Sequence, residues 1–135
     1  MRISDNLIDD IANAPKWFFN AIKKEPTECE IENQKGNLSY SKWVCDSKNK
    51  NLLVFIHGTG AHKKWWYPIA PHFTKNSNVI AVDLPGMGDS GFREKYSIKD
   101  FGQCIISIIE KERLNMSIDS VFIVGHSLGG QVAAY

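Results

Sequence analysis

Long apolar runs are missing from this sequence. No stretch approaches the ~20 residues that a membrane-spanning helix needs. The N-terminal "MRISDNLIDDIANAPKW" carries three aspartates and no apolar core of signal-peptide length. A cytoplasmic protein without a membrane partner is therefore expected. Cysteine is scarce as well. Cys29, Cys45 and Cys104 are three, an odd number at no metal-ligand spacing, which argues against a disulfide scaffold or a thiolate metal cluster. An excess of one charge is also absent. Sixteen Lys and Arg face fifteen Asp and Glu, for a formal net charge of +1. The two signs are interleaved, so no basic stripe marks a nucleic-acid or lipid surface. Internal repeats and low-complexity segments are lacking too.

What remains is an ordinary globular composition. The 135 residues, 43% apolar and 23% charged, suffice for one domain and not for two. Ile3, Leu7, Ile8 and Ile11 recur at helical spacing, and after Pro15 "KWFFNAIKK" places Trp17, Phe18, Ala21 and Ile22 on one side. Residues 1–27 thus read as an N-terminal helical segment preceding a domain of residues 28–135. Cys29–Glu32 and Leu38–Cys45 flank the polar linker "NQKGN" and read as an antiparallel pair. Then the pattern changes. "LLVFI" (52–56), "VIAV" (79–82) and "VFIV" (121–124) are continuous apolar runs rich in β-branched residues. Such strands are buried on both faces of a parallel sheet. Between them, Pro68 and Pro71 suit a first helical turn, after which Ile69, Ala70 and Phe73 can face the sheet. Ser97 and Asp100 resemble a capping box ahead of Ile98, Phe101, Ile105, Ile108 and Ile109. Strand and helix alternate, so the fold class is α/β with a mostly parallel sheet.

Two strand ends carry chemistry. In "VFIVGHSLGGQ", Ser127 stands where a buried strand must turn abruptly into a helix. Such a strained elbow thrusts a nucleophilic hydroxyl out at the strand's carboxyl end. Gly125 and Gly129 provide the clearance that strand and helix need there. Acyl transfer also needs two N–H donors aimed at the developing oxyanion. Leu128, just after the serine, is one candidate, and Thr59 in the loop His57-Gly58-Thr59-Gly60 is the other. A competing signal, Gly86-Met87-Gly88-Asp89-Ser90-Gly91, matches a dinucleotide fingerprint. Its context fails, because Leu84-Pro85 separates it from the strand and "FREKYS" is a poor start for a phosphate-capping helix. No metal and no cofactor is expected. Trp65 and Trp66, beside the oxyanion loop, suit either a pocket wall or the core.

"HGTGAHKKWW", "VDLPGMGDSG" and "VGHSLGGQ", in this order and at these spacings, resemble the α/β-hydrolase superfamily. "APKWFFNAIKKEP" extends the resemblance to nearly the whole chain. The likeness implies the first five strands of that fold, with Ser127 as nucleophile and the Thr59 and Leu128 N–H groups as oxyanion hole. It also implies structural roles for Asp83 and residues 84–91, and for His57 in bracing the oxyanion loop. The substrate would be a small acyl compound, and the bond a carboxylic ester or thioester. Ser at 127 argues against the epoxide-hydrolase and dehalogenase branches. Acyltransferases, C–C bond hydrolases and non-catalytic binding proteins share the scaffold. The fold's chain order is Ser, then Asp or Glu, then His, yet neither an acid nor a histidine follows Ser127. His57, His62, His72 and His126 read as structural or solvated. The expectation is therefore the N-terminal part of an enzyme, inactive alone, whose C-terminal half is missing or separately encoded.

Overall fold

The computed structural model describes residues 13–33 and 36–135. The helical spacing of Ile3–Ile11, and Gln34 and Lys35 of the hairpin linker, lie outside the described residues. The first described helix is α1 (Lys16–Ile22). It is followed by strands β1 (Thr27–Asn33), β2 (Gly36–Trp43) and β3 (Asn51–Ile56). Two 3-10 turns, Lys63–Trp66 and Ala70–Phe73, lead into β4 (Asn78–Val82). Then come α2 (Ile98–Met116), β5 (Ser120–Gly125) and α3 (Leu128–Ala134). The strands form one sheet in the order β1-β2-β4-β3-β5. β1 and β2 pair antiparallel, as do β2 and β4, whereas β3 runs parallel to both β4 and β5. The sheet is mostly parallel, as expected, with an antiparallel β1–β2 flank.

The central strands are continuously apolar because each face meets a different layer. Leu52, Val54 and Ile56 point to one side, where Ile80, Val82 and the α2 residues Phe101, Cys104, Ile105 and Ile108 close the core. Leu53 and Phe55 point to the other, against Val79, Ala81, Trp66 and Ala70. The α2 stripe is the one that the isoleucine spacing predicts. Ser97 caps it, its Oγ accepting the Asp100 N–H at 3.1 Å while its hydroxyl donates to the Asp100 carboxylate at 2.6 Å. α2 also carries Glu112, fully buried. The Tyr40 hydroxyl and the Lys42 ammonium both donate to its carboxylate, tying α2 to β2. Burial first, then Glu112, holds the Tyr40 phenol far above its ordinary pKa, so this donor stays protonated.

Two expectations need correction, for the Pro68–Phe73 segment and for β5. Pro68 and Pro71 do not open one α-helix. A proline lacks an N–H and crowds the carbonyl four residues back, and the segment breaks into two short 3-10 turns. Ala70 is buried against the sheet, but Ile69 and Phe73 stay 39% and 46% exposed. On α1 only Ala21 is buried, and Trp17 lies against His72 with ring centroids 5.8 Å apart. Lastly, "VFIV" is not buried on both faces. Phe122, Ile123 and Val124 are 54%, 40% and 41% exposed. Strand order explains it: among the described residues β5 pairs with β3 alone and forms the sheet's edge. Among the described residues no helix is long and apolar enough to cross a membrane.

An apolar edge strand with free backbone groups is a template for pairing. The 135-residue chain is accordingly expected to self-associate as concentration rises. Phe122→Lys should suppress this with little loss of melting temperature. Sedimentation velocity across a concentration series measures it, and a wild type that stays monomeric throughout would contradict the assignment of β5 as a sticky edge.

Candidate active site

β5 ends at Gly125, and Ser127 turns the chain into α3 with φ 54° and ψ −117°. For a residue with a side chain this is a strained conformation, costing on the order of 1–3 kcal/mol. Sterics impose it. A Cβ at Gly125 would collide with the Gly129 carbonyl, and one at Gly129 would fall 2.6 Å from the His57 carbonyl oxygen. Without those side chains α3 lies directly against the end of β3. The His126 N–H extends the β3–β5 ladder to Ile56 O at 3.0 Å, so the elbow is fixed up to the residue before the serine. Ser127 itself is exposed.

The loop after β3 meets this elbow. A Cβ placed on Gly58 would lie 3.1 Å from His126 Nδ1 and 3.2 Å from Ser127 Cβ. His57 and Gly58 are buried while Thr59 and Gly60 are exposed, and Gly60 takes a left-handed φ of 72°. The Gly58 carbonyl accepts twice, from His57 Nδ1 at 2.7 Å and from the Ala61 N–H at 3.2 Å. Carbonyl and N–H of one trans peptide point in opposite directions. The Thr59 N–H, sharing that peptide plane, is therefore directed away from His57. Leu128 opens α3, where the first amides have no intrahelical acceptor.

His57 is a brace. Its Nε2 accepts the Leu84 N–H at 3.1 Å and its Nδ1–H is given to Gly58, which fixes a neutral tautomer. Burial depresses its pKa, against smaller opposing pulls from the Gly58 carbonyl and the Asp83 carboxylate 3.9 Å away. The ring thus joins the loops after β3 and β4. His62 and His72 are exposed on the segment between β3 and β4. The exposed His126 ring lies near-parallel to Trp65, with centroids 5.9 Å apart. Among the described residues, none of the four histidines hydrogen-bonds the Ser127 hydroxyl.

One cluster escaped the sequence reading. Lys63 is buried, and its ammonium reaches Asp83 and Ser39 Oγ, each at 2.9 Å, as well as Asp89, with Glu28 at 3.5 Å. The Lys63 and Asp89 N–H groups both donate to the Asp83 carboxylate, at 2.6 and 2.9 Å. Burial alone would lower the Lys63 pKa, but Asp89 and Asp83 outweigh it and hold the ammonium well above its ordinary value. The cluster pins the first 3-10 turn, β2 and the loop after β4 together. Gly88, at φ 55°, supports it, because a Cβ there would strike the Asp83 carboxylate. Its sequence signal was faint: Lys63 shares a spacing with Trp66 and Ala70, both buried. The two tryptophans divide. Trp66 is buried on Phe55, at 4.6 Å and 26°, and Trp65 is 57% exposed.

Two outcomes follow for stability. Lys63→Met leaves the Asp83 carboxylate buried without its counter-ion and should cost about 3–5 kcal/mol in urea unfolding; a cost near zero would contradict the burial described. His57 has a folded pKa below the ordinary 6.5, so below that pH the unfolded chain binds more protons than the folded one. Its contribution to stability is present above pH 6.5 and is lost as pH falls toward its folded value. Melting temperature should drop between pH 7.5 and 5.5 more steeply in wild type than in His57→Gln, and equal slopes would refute this account.

Comparison with known proteins places this geometry. Residues 53–135 match the model of the alpha/beta hydrolase family. The chain is 33% identical over 81 residues to (E)-2-((N-methylformamido)methylene)succinate hydrolase from Acinetobacter baylyi, covering 59% of this chain and 29% of that protein. It is 30% identical over 85 residues to pimeloyl-[acyl-carrier protein] methyl ester esterase from Pseudoalteromonas atlantica, covering 62% and 30%. Among solved structures, the Cif epoxide hydrolase from Acinetobacter nosocomialis superposes with a TM-score of 0.68 at 31% identity, over 91% of this chain and 41% of that one. The chain thus spans about three tenths of the length of those two curated relatives. With the family model spanning more than half of its residues, the chain belongs to the alpha/beta hydrolase family.

Proposed function

We propose that this chain is the nucleophile-bearing part of a serine hydrolase that cleaves an ester-like bond, a carboxylic ester or thioester, through an acyl-enzyme. The observation that carries the reading is the exposed, positive-φ Ser127 at the β5–α3 elbow, with the Gly58 loop packed against it. Ser127 Oγ attacks the substrate's carbonyl carbon while a base takes the hydroxyl proton. The resulting oxyanion rests on the N–H groups of Thr59 and Leu128, which supply fixed dipoles where charge develops. Collapse expels the leaving group, protonated by the same base, and water then releases the acyl group. The methyl ester esterase among the relatives favours this bond class. The epoxide hydrolase shares the scaffold, and the serine at position 127 argues against its chemistry here. A cytoplasmic setting is part of this reading, supported by three cysteines of which none is in a disulfide.

The triad's acid and histidine belong, in this reading, to polypeptide that completes the sheet beyond β5. The purified 135-residue chain is therefore expected to hydrolyse p-nitrophenyl acetate no faster than its Ser127→Ala variant. Ser127-dependent turnover should appear once a polypeptide supplying those two residues is added. Turnover by the chain alone, lost in Ser127→Ala, would mean that a base within it had been overlooked. No turnover in the completed assembly would sink the hydrolase reading.

A further inference from the structure

We propose that Trp65 and His126 form an aromatic shelf beside Ser127, and that the substrates are esters or thioesters whose acyl group is flat and conjugated. The proposal rests on the reading of Ser127 as nucleophile and goes on to name the acyl class. Four observations carry it. The His126 ring touches both neighbours: a Cβ on Gly58 would lie 3.1 Å from its Nδ1, and its centroid is 5.9 Å from that of the Trp65 indole. The two rings are within 21° of parallel. Trp65 is 57% exposed, although an indole buries 150–250 Å² where it serves a core. The core role at this turn is already filled, since Trp66 stacks on Phe55.

The geometry selects shape as well as polarity. His126 Nδ1 and Ser127 Cβ both approach the Gly58 backbone, at 3.1 and 3.2 Å from where a Cβ would stand, so the ring and the serine converge on one point of the loop. A planar π-system can lie along the exposed indole and keep face-to-face contact, whereas a puckered saturated ring of the same size touches it at fewer atoms. Such contacts add to simple burial. Trp65 is then a specificity-determining residue. It stands on the first 3-10 turn, which the buried Lys63 cluster holds rigid.

Product-like acids test this without turnover. Benzoate and cyclohexanecarboxylate are titrated separately into the isotope-labelled 135-residue chain, followed by two-dimensional NMR of the Trp65 indole N–H and the Thr59 and Leu128 amides. Benzoate is expected to shift all three and to bind about five-fold more tightly than its saturated counterpart. Trp65→Ala should bring the two acids to within about two-fold while both still perturb Leu128. Trp65→Leu gives the same comparison if the alanine variant loses spectral dispersion. Equal affinities in wild type, or a preference that survives removal of the indole, would overturn the shelf. A response to phenol but not to benzoate would overturn the acyl assignment. Acids that leave Thr59 and Leu128 unmoved would instead defeat the underlying placement of the oxyanion site.

Discussion

Everything at the carboxyl end of this sheet depends on three positions that carry no side chain. Gly125 and Gly129 let α3 fall back onto the end of β3, and Gly58 admits the His126 ring and the Ser127 Cβ. Backbone approaches so close leave Ser127 only a strained conformation at the crossing. The strain is small beside the burial that surrounding strands supply, and it persists because the ladder from β3 continues through the His126 N–H. A side chain at Gly125 or Gly129 would lift α3 off β3 and relax the serine into the strand. Exposure of Ser127 and closeness of the Gly58 loop thus have one steric cause.

A second constraint keeps the loops in place. The connections after β3 and β4 are irregular, and loops of this kind are usually mobile. Here two buried side chains join them. His57 accepts from the Leu84 N–H and donates to the Gly58 carbonyl, and that second bond orients the peptide whose N–H belongs to Thr59. Lys63 gathers Asp83, Asp89 and Ser39 about one ammonium. Replacement of such a cluster by apolar residues is often neutral for stability. Its contribution here is geometric, because it ties the turn that carries Trp65 to β2 and to the loop after β4.

How much of this was legible in the sequence follows from the range of each interaction. The buried strands announce themselves through contiguous apolar residues, and α2 through its isoleucine spacing and the Ser97 cap, all within a few positions. The elbow is legible for the same reason, since Gly125, Ser127 and Gly129 constrain one another over five residues. Lys63 and Glu112 are not. Their partners, Asp83 twenty positions from Lys63 and Tyr40 seventy-two from Glu112, are brought up only by the sheet. The exposure of "VFIV" is a property of strand order. The expected helix at Pro68–Phe73 failed because two prolines allow isolated turns and forbid the continuous ladder.

The strand that carries the elbow is also the one least covered. Among the described residues β5 pairs with β3 alone and leaves Phe122, Ile123 and Val124 exposed, although the segment has the composition of a core strand. A hydrophobic edge is a liability unless something lies along it. The same edge runs directly into Ser127, so whatever pairs with β5 arrives beside the hydroxyl. Under the proposed function, covering the edge and supplying the proton acceptor would be one structural event. The serine's position is set within these 135 residues by glycine clearance and strain, while the reactivity proposed for it would depend on polypeptide laid along β5.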